Sequence, residues 1–199
     1  MGSGYWAVCL EFKIQGHAAA GDLAPVVKRL TEELAGGATP FADAREFEFT
    51  TSTAEIRQWL SHSARMLSDT HPPYPGLYME MNSFDINTDE WSASVVAMSE
   101  APDPTSEWWP LDDLPPLAPD LVLSGSEAMQ DAFHQWRSMT DTPQVAREVA
   151  LAQWLVWAKW LMLLQSAWRE GPLAEVRVPV VATAHDFVVA LFLVPDAGA

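Results

Sequence analysis

Between Thr142 and Arg169 the apolar residues spread around nearly the whole circumference of a helical projection. Val149, Leu151, Trp154, Leu155, Val156, Trp157, Trp160, Leu161, Met162, Leu163, Leu164 and Trp168 leave little polar face. A helix that is apolar all round is either buried centrally or crosses a membrane. Gln153, Lys159 and Gln165 interrupt the run, and a Lys near a bilayer centre is expensive. The pattern therefore predicts a central core helix. Thr142 suits its N-cap, and Pro143 suits the first turn, where a missing N–H costs nothing. Arg147 and Glu148 mark wetter first turns, Arg169 complements the negative end of the macrodipole, and Gly171-Pro172 stops the helix.

The rest of the chain alternates between the two periods. Tyr5 to Ile14 predicts a strand with Trp6, Val8, Leu10, Phe12 and Ile14 on one face. Asp22 is placed to cap a helix carrying Leu23, Val26, Val27, Leu30 and Leu34, which Gly36-Gly37 ends. Arg45 to Thr51 predicts a second strand with Phe47 and Phe49 inward. Ser52 and Glu55 have the spacing of a capping box, and the helix behind them turns Ile56, Trp59, Leu60 and Leu67 inward. Leu77–Phe84 and Trp91–Met98 predict antiparallel strands joined by the turn-rich INTDE. Leu121–Leu123 is a short strand. Ser124 and Glu127 repeat the capping-box spacing before a helix that buries Met129, Phe133 and Trp136. Glu175–Val181 and Phe187–Val194 are expected to form a closing hairpin, and Pro179 suggests a sheet edge for the first of these strands.

This order, β-α-β-α-β-β, loop, α-α-β-β, predicts an α+β fold: a largely antiparallel sheet covered by helices, with the Trp-rich helix buried. At 199 residues the chain is long enough for one domain, residues 1–199, with a sizeable core. Within it, Ala101 to Pro119 is too rich in proline for regular structure and is expected to be a long surface loop.

Composition changes the picture mainly through charge. The formal net charge is -16, with a pI near 4.4. That disfavours direct nucleic-acid binding and anionic membranes, and favours basic partners. The charge is unevenly placed. No Lys or Arg occurs between Arg65 and Arg137. That interval holds Asp69, Glu80, Asp85, Asp89, Glu90, Glu100, Asp103, Glu107, Asp112, Asp113, Asp120, Glu127 and Asp131. Its centre is the loop EAPDPTSEWWPLDDLPPLAPD, where carboxylates interleave with Trp108 and Trp109. The bland account is a solvated acidic face with both Trp packed under the loop. The functional account is a recognition surface formed by Asp103, Glu107, Trp108, Trp109, Asp112 and Asp113: Trp anchors the contact, and carboxylates steer a basic protein.

Catalytic, metal and cofactor signals are weak. Asp85, Asn87 and Asp89 match the start of a calcium loop, but Glu90 stands where Gly is needed and Val96 where a bidentate Glu is needed. His17, His62, His71, His134 and His185 form no zinc motif. His185-Asp186 is expected in a turn. Ser124-Gly125-Ser126 lies where a nucleophile elbow would sit, yet Val122 and Ala128 replace its flanking glycines. Cys9 is the only cysteine, so no intramolecular disulfide forms, and its apolar surroundings predict a buried, inert thiol. The N-terminus lacks the basic and apolar regions of a signal peptide, which predicts a cytoplasmic protein.

These features lead to the expectation of a non-catalytic, acidic protein-binding module without metal or cofactor. An inhibitor of a basic, nucleic-acid-directed toxin, such as a bacterial immunity protein, is one class with these properties. The alternatives are a small hydrolase-like enzyme using His62, His71 and loop carboxylates, and a structural subunit of a larger complex. A deep pocket where His and Asp converge would favour the enzyme; a flat acidic surface would favour the binder.

Overall fold

The computed structural model describes residues 22–70, 73–82, 84–103, 118–185, 187 and 190–195. The predicted strand Tyr5–Ile14, with Cys9, lies outside them. In chain order come α1 (Ala24–Ala35), α2 (Pro40–Ala44), α3 (Thr53–Thr70), β1 (Gly76–Met81), β2 (Trp91–Met98), β3 (Leu121–Leu123), α4 (Glu127–Trp136), α5 (Pro143–Arg169), β4 (Val180–Ala184) and β5 (Leu191–Leu193). The strands form one mostly antiparallel sheet in the order β3-β2-β1-β4-β5. The fold is therefore α+β, as the alternation of periods predicts.

Each strand's pleat sorts its residues. Leu77, Met79 and Met81 of β1, Trp91, Ala93, Val95 and Ala97 of β2, and Val180, Ala182 and Ala184 of β4 join the main core. On the opposite face Tyr78, Met98 and Val181 form a smaller cluster, flanked by Val96, Ala190 and Phe192. The β1–β4 pairing is parallel, with Leu77 opposite Val180. β4 also pairs with β5, antiparallel. Pro179 therefore does not mark an edge. It sits one residue before β4, where its carbonyl accepts from Leu77 N (2.9 Å) and its missing N–H falls outside the ladder.

Helix α5 lies in the centre. Five successive residues, Trp157 to Leu161, are all buried, so the helix is enclosed on every side. It packs against α1 and α3 as well as against β4 and β5. Thr142 caps it, its hydroxyl accepting from Val145 N at 3.2 Å, and Pro143 stands in the first turn. Trp160 Nε1 donates to Thr183 O (3.2 Å), tying helix to sheet. Lys159 is only 7 % exposed, yet it is paired: its ammonium donates to Glu48 Oε1 (2.7 Å) and to Phe47 O, and it lies 4.8 Å from the Phe47 ring centroid. At the other end the Arg57 guanidinium donates to Ala167 O (2.7 Å), Gly171 O (2.9 Å) and Pro172 O (3.3 Å). A cation thus satisfies the carbonyls that a helix C-terminus leaves unpaired.

Several local expectations fail for identifiable reasons. Arg45 to Thr51 is not a strand. Phe47 and Phe49 do turn inward, onto Trp91 (6.2 and 6.3 Å between centroids). Their backbone, however, runs beside α5, and Lys159 takes the Phe47 carbonyl. The short helix α2 precedes this segment, with Thr39 at its cap and Pro40 in its first turn. Asp22 does not cap α1: Leu23 holds the cap position without a side-chain bond, and Pro25 sets the first turn. The capping box at Ser52 and Glu55 forms, with Ser52 N donating to Glu55 Oε2 at 2.7 Å and Glu55 N to Ser52 Oγ at 3.2 Å. The one at Ser124 and Glu127 does not; Ser126 precedes α4 without a side-chain cap. Glu175 to Val178 is turn and irregular chain, and the closing hairpin's first strand begins only at Val180.

Candidate functional site

The acidic interval concentrates along one side of the sheet. Leu123 pairs with Trp91, so the chain entering α4 lies beside Asp89 and Glu90 at the start of β2. Asp120 heads β3, while Glu127 and Asp131, four residues apart, share one face of α4. These five carboxylates are exposed. Glu100 and Asp103, also exposed, follow the far end of β2.

The ion pairs sharpen the segregation. Lys28, Arg29, Arg45, Arg57, Arg147 and Lys159 pair with Glu32, Glu33, Glu46, Glu170 and Glu48. All of these partners lie outside the interval between Arg65 and Arg137. Among the described residues Asp89, Glu90, Glu100, Asp120, Glu127 and Asp131 carry no ion pair. Arg137, the cation that ends the interval, donates instead to the carbonyls of Asp85 (3.2 Å) and Ile86. Two large apolar side chains of the same interval are exposed: Ile86 at 64 % and Val122 at 50 %.

Of the binding residues expected from the sequence, Glu107, Trp108, Trp109, Asp112 and Asp113 lie outside the described residues; Asp103 is exposed. The loop's described ends are pinned. A Cβ on Gly76 would lie 2.8 Å from Pro102 Cδ, so the missing side chain lets Pro102 sit against β1. Trp59 Nε1 donates to Pro119 O at 2.9 Å, and Ala118 is buried.

Two of the residues behind the weak catalytic and metal signals make structural contacts. Asp85 Oδ2 accepts from Gln153 Nε2 of α5 (3.0 Å). No group of three metal-ligating side chains occurs among the described residues. Gly125 has φ +89°, and a Cβ there would lie 2.3 Å from Glu48 O and 2.5 Å from Thr50 N. It lets the chain before α3 close on this turn, with Thr50 N donating to Ser124 O at 2.8 Å. His62 is exposed on α3, and His71 lies outside the described residues.

One polar cluster escapes sequence reasoning. The parallel β1–β4 pairing brings His185 beside Glu80, with Nδ1 2.7 Å from Glu80 Oε1. Burial, and then the adjacent Glu80 carboxylate with its hydrogen bond, push the Tyr78 hydroxyl well above its ordinary value. The two clefts described below contain no His, so this cluster opens into neither.

A second unforeseen site is structural. Glu148 belongs to the turns expected to be wet, yet it is 1 % exposed. Its Oε2 accepts from Thr39 N (3.1 Å) and Thr39 Oγ1 (2.6 Å). Its Oε1 accepts from Ala38 N (3.3 Å) and Gln144 Nε2 (2.9 Å). Burial alone would raise its pKa, but the bonds from Thr39, Gln144 and Ala38 together outweigh it and hold the carboxyl below its ordinary value.

Comparison with protein-family models, with curated proteins and with solved structures finds no match for this chain. Among the described residues no helix is long and apolar enough to cross a membrane.

Proposed function

We propose that the chain is a non-catalytic acidic module that binds a basic protein, as an inhibitor of a nucleic-acid-directed toxin would. One observation carries this reading. The described lysine and arginine ion pairs all use carboxylates outside the Arg65–Arg137 interval, while within it Asp89, Glu90, Asp120, Glu127 and Asp131 carry no ion pair and Ile86 and Val122 are exposed. Unpaired surface charge of one sign speeds encounter with an oppositely charged partner, and apolar side chains within it supply the short-range contact. A partner that binds nucleic acid carries the complementary lysines and arginines. The loop residues Glu107, Trp108, Trp109, Asp112 and Asp113 extend the same composition and belong to the proposed surface.

The test begins with proteins that co-purify with the chain from its source cell. Surface plasmon resonance across a salt series then compares wild type with Glu127→Lys/Asp131→Lys and Asp112→Lys/Asp113→Lys. Both pairs should slow association and flatten its salt dependence. Trp108→Ala or Trp109→Ala should raise the dissociation rate, by about 2 kcal/mol where the residue is a hot spot. Glu32→Lys, on α1 outside the interval, is the control and should change neither rate. Equal rates in all variants, or a partner that is itself acidic, would remove the basis for the proposal.

A further inference from the structure

A cleft of about 490 Å³ lies where α3 meets the segments that lead into β1 and β4. Its volume is in the range of small-molecule sites. Arg65 and Ser68 enter it from α3, Tyr74 from the residues before β1, and Arg177 from those before β4. The two arginines are distinctive in this chain. Arg65 Nε donates to Ser61 O (3.3 Å) and Arg177 Nε to Ala174 O (3.2 Å). Beyond these, neither guanidinium has an ion pair or hydrogen bond among the described residues. The helix end nearby does not require them, because Arg57 already serves the carbonyls of Ala167, Gly171 and Pro172. Two guanidinium forks with unused donors therefore face one cleft on a protein of net charge -16.

Asp69 and Glu175 also line the cleft, and no ion pair joins either to Arg65 or Arg177. The lining thus offers separated donors and acceptors. A guanidinium fork matches a carboxylate or phosphate in two-point contact. The two carboxylates would repel a bare anion but accept from hydroxyl or ammonium groups on a larger one.

We propose that this cleft binds a small organic anion, a carboxylate or phosphate that also carries hydroxyl or ammonium donors, with Arg65 and Arg177 on its acid group and Asp69 and Glu175 on its donors. A second hollow of about 440 Å³, lined by Trp168, Pro172 and Pro195, shares Arg177 and gives room for an apolar extension.

The test is an NMR titration of the full chain with inorganic phosphate, glycerol 3-phosphate and L-malate, with glycerol as the uncharged control. Glycerol 3-phosphate or L-malate should bind more tightly than inorganic phosphate and shift the resonances of Arg65, Tyr74 and Arg177. The tighter of the two assigns phosphate or carboxylate as the acid group. Arg177→Gln and Arg65→Gln should each weaken that binding about tenfold or more, the effect of removing a charged hydrogen-bond partner. Both side chains are exposed, so the variants should melt like wild type. Asp69→Asn should weaken the donor-bearing probe while strengthening inorganic phosphate, a reversal that mere loss of structure cannot give. No shifts at millimolar concentration, equal affinity for glycerol, or unchanged affinity in both arginine variants would overturn the proposal.

Discussion

Removing the Glu148 carboxylate tests how a buried charge holds the α1–α2 connection onto α5. In Glu148→Ala, Thr39 N and Thr39 Oγ1 lose their acceptor inside the core. Each buried group left unsatisfied costs about 1–3 kcal/mol. Gln144 is exposed and can turn to water, and the Ala38 contact is long at 3.3 Å. The expected loss is therefore about 2–6 kcal/mol at neutral pH, from the two Thr39 donors left without an acceptor. Glu148→Gln should cost less, about 1–3 kcal/mol, because its carbonyl can keep both Thr39 bonds while its amide faces Ala38 N. The pH dependence is the sharper measurement. The native pKa is held below 4.5, so this carboxylate's contribution is complete above that value and is lost as pH falls through the depressed native value. Urea melts should show the gap between wild type and Glu148→Gln narrowing below about pH 4.5, since the amide cannot titrate. Dilute protein is needed there, because the pI near 4.4 removes charge repulsion. Wild-type stability in Glu148→Ala, or a gap constant down to the lowest pH reached, would refute the reasoning.

Gly37→Ala should weaken the same lock by about 1–3 kcal/mol in neutral urea melts, because its Cβ would fall 2.3 Å from Glu148 Oε2. Trp157→Ala and Leu161→Ala, both fully buried in α5, should each cost about 2–5 kcal/mol by denaturant titration; unaltered melts would refute the central role of that helix. Gly125→Ala combines a positive φ with a clash against Glu48 O, and should lower the thermal midpoint more than Gly36→Ala, where the space is open. Calorimetry with millimolar calcium should show no binding assignable to Asp85, Asn87 and Asp89, since Asp85 is engaged by Gln153. Micromolar affinity there would overturn that expectation.

Local periodicity determined much of this protein without help from the fold. The all-round apolar run between Thr142 and Arg169 predicts a core helix because any placement at a surface would leave apolar side chains in water. The spacing of Ile56, Trp59, Leu60 and Leu67, and the alternation in Trp91–Met98, predict their buried faces for the same reason: side-chain direction follows from the backbone period. The uneven charge was equally plain, since counting needs no coordinates.

Tertiary structure decided what depends on partners distant in sequence. Arg45 to Thr51 alternates like a strand, and its phenylalanines do turn inward, but a ladder needs a neighbouring edge and α5 lies there instead. Glu148 carries the same letter as a solvated carboxylate. It is buried because Ala38 and Thr39, some 110 residues earlier, bring donors to it. The β1–β4 pairing that joins Glu80 to His185, and the docking that puts Arg65 and Arg177 on one cleft, likewise arise from packing between elements far apart in the chain. Hydrophobic period reports which side of an element is apolar; only the assembled core fixes which element that side meets, and so which polar groups are left facing one another.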